Sequence, residues 1–235
     1  MTNGELVSLK VLEKICAELD CDFGDIIHYE QKNQGRWAVM EYSAKIISEL
    51  FWLQESRKTA GYLLKGYDKA AIRKIAWNEN IYQVKAEYRA YDVLNGTYRR
   101  IAELPEVVLK TFTSCDVETA KILNLIAILM DSRVFFEFLH EVYREKIRLG
   151  EKEITDRDFN VFFSEKATQS EAAAGWTEGT VKRLKRSMAR MMFEAGLLES
   201  SVKPRTIKPI HIDYRTEELL TANGLGEYLK AVKGV

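Results

Sequence analysis

Residues 117–130 form a segment that is apolar on nearly every side of the helix its sequence predicts. A surface helix carries one apolar stripe and one polar face, so a helix that is apolar all round has to be surrounded by other elements. Helical periodicity continues on both sides of this segment, and no strand-like alternation occurs before residue 195. The chain is therefore predicted to be all-α, a multi-helix bundle with residues 117–130 at its centre.

Changes of pattern divide the sequence into three parts. Residues 1–36 hold a short helical stretch and a polar linker, residues 37–150 a fresh set of helices that begins near Tyr42, and residues 151–235 a different C-terminal region. The chain has 235 residues, of which 46% are hydrophobic, enough to fill one large core or two smaller ones.

Residues that favour helix ends punctuate the sequence. Asp68 and Thr177 are suited to cap the helices that follow them, and Thr155 with Asp158 forms a capping-box pattern. The expected stop signals are Gly66 and Gly196.

The segment from Trp176 to Arg190 places apolar and basic residues on opposite faces of one predicted helix. The chain as a whole is balanced, with 35 basic and 35 acidic residues, but residues 177–208 carry eight Lys and Arg residues against three acids. Arginines three and four apart destabilise an isolated helix by roughly 0.2–0.5 kcal/mol per pair. A phosphate backbone bound to this face would reverse that cost.

Two short strands joined by a basic loop are expected after this helix, which gives the C-terminal region the order of a winged helix-turn-helix with a short β-hairpin. Phosphate contacts are expected to predominate, with Thr180, Arg183 and Arg186 nearest to base edges because they lie toward the helix start. A merely solvated basic face is the alternative. The predicted DNA-binding residues are Thr180, Lys182, Arg183, Lys185, Arg186, Arg190, Lys203, Arg205 and Lys208.

Several other classes of protein are disfavoured. Three cysteines are too few for a disulfide framework, no apolar signal-peptide core is present, and the longest apolar run has nine residues where a membrane span needs about 20. We therefore expect a cytoplasmic protein that makes no use of a membrane.

No catalytic or metal-binding pattern occurs in the sequence. Cys16, Cys21 and His28 lack a fourth ligand, and Gly61 and Gly66 have the spacing of a phosphate-binding loop without its Lys and Ser or Thr. The expectation is a non-enzymatic protein with no cofactor and no metal.

Four tyrosines on or near one predicted helix remain open to two interpretations. They could stack on unpaired bases, or they could line helix interfaces with their hydroxyls at the edge. The four are Tyr82, Tyr88, Tyr91 and Tyr98.

From about Tyr42 to the C-terminus the sequence resembles the BrxA family of bacteriophage-exclusion (BREX) defence systems. The resemblance is carried by Glu55-Ser56-Arg57, Asn80, Arg99-Arg100 and, most clearly, residues 176–200, WTEGTVKRLKRSMARMMFEAGLLES. It implies an all-helical, DNA-binding accessory protein, with duplex DNA and other BREX subunits as partners.

Residues 5–30 resemble a different family, the last two helices of a Cro-type repressor domain. Only seven residues precede Ser8, too few for the two helices of the turn motif, so the recognition helix is missing. We expect no DNA contacts from this remnant, which is either a packing or dimerising appendage or part of a longer segment starting upstream of Met1.

The function predicted from the sequence is duplex-DNA binding through the basic helix and the adjacent wing, in the service of a phage-exclusion system. Two alternatives stay open. The same basic face could meet an acidic surface of another defence subunit, which would make the protein a scaffold, or the bundle could bind RNA in a way similar to antitermination factors.

Overall fold

The computed structural model describes residues 41–234 together with Glu18, Trp37 and Met40. The chain divides into two units, residues 1–34 and residues 35–235, and nearly all described residues belong to the second. Apart from Glu18, the segment expected to be a Cro-type remnant, residues 5–30, lies outside the described residues, as do the linker that follows it and Cys16, Cys21 and His28.

The described part of the chain is predominantly helical, which confirms the all-α prediction. A short 3-10 helix, Lys45–Ser48, comes first. The helices that follow are α1 Leu53–Leu64, α2 Lys69–Asn78, α3 Glu87–Ile101, α4 Glu106–Ser114, α5 Val117–Asp131, α6 Arg133–Glu137, a π-helix Phe138–Tyr143, α7 Arg144–Arg148, α8 Asp156–Gln169, α9 Glu171–Ala174, α10 Glu178–Glu194, α11 Tyr214–Ala222 and α12 Gly226–Lys233.

Helix α5 occupies the centre of the bundle, as its sequence predicts. It packs against α1, α3, α4, α6 and α12, and every residue from Ile122 to Met130 is buried. Its one buried amide, Asn124, donates a hydrogen bond of 2.7 Å to the Phe51 carbonyl. The Asn124 side chain thus supplies a hydrogen-bond donor to a backbone carbonyl, which an apolar residue at this position could not do.

The main hydrophobic core runs from Tyr42 to Val232 and includes residues from both sides of position 150. A smaller cluster lies around α2 and α3 and includes Trp52, Ile72 and Leu94. The boundaries expected at residues 36 and 150 stay predictions.

The segment from Tyr42 to Trp52 is less helical than expected. Only the 3-10 helix Lys45–Ser48 forms there, and α1 begins at Leu53. The backbone between these two helices accepts hydrogen bonds from side chains that are distant in sequence. The Leu50 carbonyl accepts one from Arg100 at 2.8 Å, and the Phe51 carbonyl accepts one from Asn124. Long-range partners therefore replace the hydrogen bonds that a helix would supply.

Two isolated antiparallel β-bridges join three short segments of the C-terminal region. Glu153 pairs with Thr206, and Leu198 pairs with Ile207. The second bridge lies where the hairpin is expected. The first bridge involves Glu153, whose segment is too short to leave an alternating pattern in the sequence.

Candidate nucleic-acid interface

Helix α10 begins where the sequence predicts it. Thr177 is its N-cap, and the Thr177 hydroxyl oxygen accepts a hydrogen bond of 3.2 Å from the backbone N–H of Thr180. Glu178 in the first turn places a carboxylate at the positive end of the helix dipole. Gly196, with a φ of +87°, follows the last turn in the left-handed conformation that favours glycine.

One face of α10 is anchored in the main core. Its five buried residues are Leu184, Met188, Ala189, Met191 and Met192. The same helix also packs against the 3-10 helix Lys45–Ser48. This packing fixes which way the opposite, basic face points.

Three cations of α10 point into solvent without a carboxylate partner. Lys182, Arg183 and Arg186 are exposed, and no acidic oxygen of the described residues lies within the 4.0 Å that defines a salt bridge. Arg186 also borders a cleft of about 160 Å³ between α10 and residues 47–51. The most open part of the basic face is therefore the first half of the helix, around Lys182 and Arg183.

Two other basic residues of α10 have polar partners in the same molecule. Arg190 donates from Nε to Glu194 at 2.7 Å, four residues along the same helix. Lys185 donates to the Asn160 side-chain oxygen and lies 5.8 Å from the ring centre of Phe163. Burial lowers the pKa of Lys185.

The loop between the two C-terminal bridge segments is tied to the start of α8 by Asp156. Arg205 donates to this carboxylate at 2.8 Å and its guanidinium carbon lies 5.5 Å from the ring centre of Phe159. Lys203 pairs with the same carboxylate. The hydrogen bonds from Lys203 and then Arg205 lower the pKa of Asp156.

The two remaining predicted residues, Lys208 and Thr180, lie near a cleft and at the helix start, respectively. The exposed Lys208 borders a cleft of about 580 Å³ whose lining also contains Glu118, Glu194 and Glu199. The Thr180 hydroxyl lies 3.0 Å from that of Thr177, in the first turn of α10. Of the nine predicted residues, the structure brings together Lys182, Arg183 and Arg186 as one unpaired group.

Asp156 is a residue of this region whose role has no clear signal in the sequence. Its carboxylate pairs with two of the predicted basic residues, Lys203 and Arg205. The sequence indicates only the capping box of Thr155 and Asp158 beside it, which does form. The pairing of Asp156 with residues about 50 positions later depends on the β-bridge between Glu153 and Thr206.

A metal-binding cluster and a membrane-spanning helix are both absent from the described part of the chain. No group of three His, Cys, Asp or Glu residues among residues 41–234 is arranged to hold a metal ion. None of the helices described here has the length and apolar character needed to cross a membrane.

A family model described as BrxA matches residues 40–224. The chain belongs to the BrxA family. A Bacillus cereus (strain H3081.97) protein named "BREX protein BrxA" is 33% identical over 193 residues, which are 82% of this chain and 96% of that protein. A model described as a Cro/C1-type HTH DNA-binding domain matches residues 1–32.

The fold also has a relative among solved structures. The crystal structure of an uncharacterized protein from Magnetospirillum magneticum aligns with a TM-score of 0.73 and 19% identity, over 83% of this chain and 100% of that chain. At this identity the likeness shows the fold alone.

The residues that carry the BrxA resemblance outside α10 hold the bundle together. Arg57 donates to the carbonyls of Thr113 and Cys115, both at 2.9 Å, and Asn80 accepts from the Val84 backbone N–H at 2.9 Å. The buried Arg100 donates to Glu49 at 2.6 Å. These residues stabilise helix ends and connections within the bundle.

Proposed function

We propose that this protein is a non-enzymatic, cytoplasmic, DNA-binding accessory component of a BREX phage-exclusion system and that α10 is its recognition helix. The observation that carries the proposal is the unpaired, outward group formed by Lys182, Arg183 and Arg186. The opposite side of the same helix is fixed in the core through Leu184 and Met188. A rigid rod that presents several cations together suits the phosphate backbone of a duplex.

The order of elements around α10 supports a winged-helix arrangement. A bridge segment at residues 152–154 precedes α8, and α10 is followed by segments at 197–199 and 205–208. The backbone hydrogen bond from Ile207 to Lys152 and the one from Lys208 to Leu197 connect the last segment to both others. In our proposal residues 200–205 are the wing, and Asp156 holds it against α8 through Arg205.

In our proposal the predicted DNA-binding residues divide by role. We assign phosphate contacts to Lys182, Arg183 and Arg186, because charges already neutralised by a carboxylate gain less from a phosphate. We assign Arg205 to wing support. The peripheral contacts then come from Arg190, Lys203 and Lys208.

The test is a triple charge reversal with a charge-matched control. The variant Lys182→Glu/Arg183→Glu/Arg186→Glu is expected to lose duplex-DNA binding in a fluorescence anisotropy titration while its circular dichroism and melting stay those of the wild type. The control, Lys110→Glu/Arg148→Glu/Lys230→Glu, changes net charge equally at exposed cations paired on their own helices. Duplex affinity that survives in the α10 variant contradicts the proposal.

Two further arms of the experiment address other partners. Structured RNA that displaces the labelled duplex at lower concentration than unlabelled duplex would favour an RNA-binding protein. Subunits retained from cell extract after nuclease treatment, and lost in the α10 variant, would favour a scaffold.

A further inference from the structure

A second group of unpaired cations lies on α2 and at the end of α1. We call it the α2 cationic face, and its members are Lys65, Lys69, Arg73 and Lys74. All four side chains are exposed, whereas Ile72 and Ala76 on the opposite side of α2 are buried. Positions four apart lie on one side of a helix, so Lys69 and Arg73 form a stripe that continues to the exposed Trp77.

The cations of the α2 cationic face have no salt-bridge partner in the described part of the chain, although Tyr91, whose ring lies against Arg73, donates a hydrogen bond to Glu87. Across residues 41–234, no carboxylate oxygen comes within salt-bridge distance, 4.0 Å, of any of its four cations. Some exposed cations elsewhere in the chain are paired along their own helices, as Lys110 is with Glu106 at 2.6 Å and Lys230 with Glu227 at 2.8 Å, whereas these four, like Lys182, Arg183 and Arg186 of α10, have no such partner among the described residues. Like charges at spacing four repel one another, so the face favours an external anion.

Two of these cations, Lys69 and Arg73, pack against aromatic rings. The Arg73 guanidinium carbon lies 4.1 Å from the ring centre of Tyr91, and the Lys69 ammonium lies 5.6 Å from that of Tyr98. Both rings belong to α3. A cation over an aromatic face is held in position while its N–H groups stay available to a ligand.

The four tyrosines with two possible roles, base stacking or helix packing, differ in their surroundings. Tyr82 is buried and its hydroxyl lies 2.7 Å from that of Thr59, a helix-interface contact. Tyr91 and Tyr98 support the cations of α2. Tyr88 is 67% exposed, and Tyr67 and Trp77 are also exposed at the edge of the face.

We propose that the α2 cationic face is a second phosphate-contacting surface, which binds duplex DNA outside the length covered by α10. The identity of the polyanion rests on the proposed function. A second contact on the same duplex is intramolecular once the first has formed, so it raises affinity through effective concentration. The proposal predicts a preference for long duplexes that depends on this face and not on net charge.

The test compares two duplexes, a short one of about one and a half turns (~15 bp) and a long one of about four turns (~40 bp). The variant Lys69→Glu/Arg73→Glu/Lys74→Glu is expected to bind the short duplex as the wild type does. On the long duplex its affinity is expected to fall, and the slope of log affinity against log salt to decrease by about 2–3, because each lost phosphate contact removes ~0.9.

A control is needed because a long duplex offers more binding registers to any protein. The charge-matched variant Lys110→Glu/Arg148→Glu/Lys230→Glu sets that baseline and is expected to keep the wild-type ratio of long-duplex to short-duplex affinity. The milder variant Lys69→Gln/Arg73→Gln/Lys74→Gln replaces the charge-reversal variant if the latter does not fold. It is expected to show the same loss of long-duplex affinity to a smaller degree. Long-duplex affinity and salt slope equal to the wild type in both α2 variants would overturn the proposal.

The outcome separates this inference from the function proposed for α10. Unchanged short-duplex binding in Lys182→Glu/Arg183→Glu/Arg186→Glu contradicts the role of α10. The role of the α2 cationic face is tested separately, by the long-duplex affinity of the α2 variants. Polyglutamate that competes with the long duplex equally well per charge would overturn the assignment to nucleic acid and indicate an acidic protein partner.

Discussion

The guanidinium of Arg205 lies 2.8 Å from the carboxylate of Asp156, with only 12% of the Arg205 side chain exposed. This contact connects the loop after α10 to the first turn of α8. The basic residues of the C-terminal region are of two kinds: some, such as Arg205, pair with a carboxylate of the same molecule, and others, such as Lys182 and Arg183, point outward without one.

Asp156→Asn is expected to lower the free energy of unfolding by about 1–2 kcal/mol, because Arg205 keeps its mostly buried position with a weaker acceptor. DNA affinity is expected not to fall, since Asp156 contacts no proposed phosphate ligand of α10. Urea unfolding and anisotropy titration measure the two quantities. The control Asp92→Asn removes an exposed pair with Arg89 and should change stability by less than about 0.5 kcal/mol. An unfolding free energy of Asp156→Asn equal to that of the wild type would contradict the supporting role.

Gly96 in α3 lies against the ring of Trp52. A Cβ added at this position would be 2.5 Å from the Trp52 Cζ3 atom, so one of the two elements has to shift. Gly96→Ala is expected to destabilise the protein by about 1–3 kcal/mol in urea unfolding.

Gly61 provides the matched control for that substitution. It lies inside α1, and a Cβ there would meet no atom within 4 Å. Gly61→Ala is expected to stabilise the protein by about 0.5–1 kcal/mol, because alanine loses less backbone entropy than glycine in a helix. Equal effects of the two substitutions would argue against the close approach of α3 to Trp52.

Glu137 is a buried carboxylate that accepts from Tyr42 at 2.5 Å and Arg133 at 2.7 Å, with Lys166 at 2.9 Å. Burial alone would raise its pKa, but the hydrogen bonds from Tyr42, Arg133 and Lys166 outweigh burial and lower it. Glu137→Gln leaves buried cations with less compensation and is expected to cost about 3–5 kcal/mol at neutral pH.

The cost of Glu137→Gln is expected to depend on pH. Because the pKa of Glu137 is lower in the folded protein than in the unfolded chain, its stabilisation is present above an unfolded value of about 4.3. It is lost as the pH falls through the folded pKa. The difference in unfolding free energy between wild type and Glu137→Gln should therefore shrink below pH ~4.3. A difference that stays constant to lower pH would show that Glu137 is neutral in the folded state.

The features that could be predicted from the sequence are those determined by nearby residues. The central position of α5 follows from the apolar character of residues 117–130, and the start of α10 follows from Thr177 as a cap. The outward position of Lys182 and Arg183 follows from the period of the same helix.

The features that the sequence did not reveal depend on contacts between distant residues. The bridge of Glu153 to Thr206 involves too few residues to leave a strand pattern. The extended backbone before α1 exists because Arg100 and Asn124 supply its hydrogen bonds. The salt bridges of Lys203 and Arg205 with Asp156 likewise join residues almost 50 positions apart. Helical periodicity cannot indicate such a pairing.

The most direct test of DNA binding by α10 is the salt dependence of duplex affinity in wild type and in Lys182→Gln/Arg183→Gln/Arg186→Gln. Each phosphate contact contributes ~0.9 to the slope of log affinity against log salt, so the loss of three contacts should reduce the slope by about 2.7. Lys110→Gln/Arg148→Gln/Lys230→Gln should keep the wild-type slope. A flat salt response in the wild type, or an unchanged slope in the α10 variant, would contradict phosphate binding by this helix.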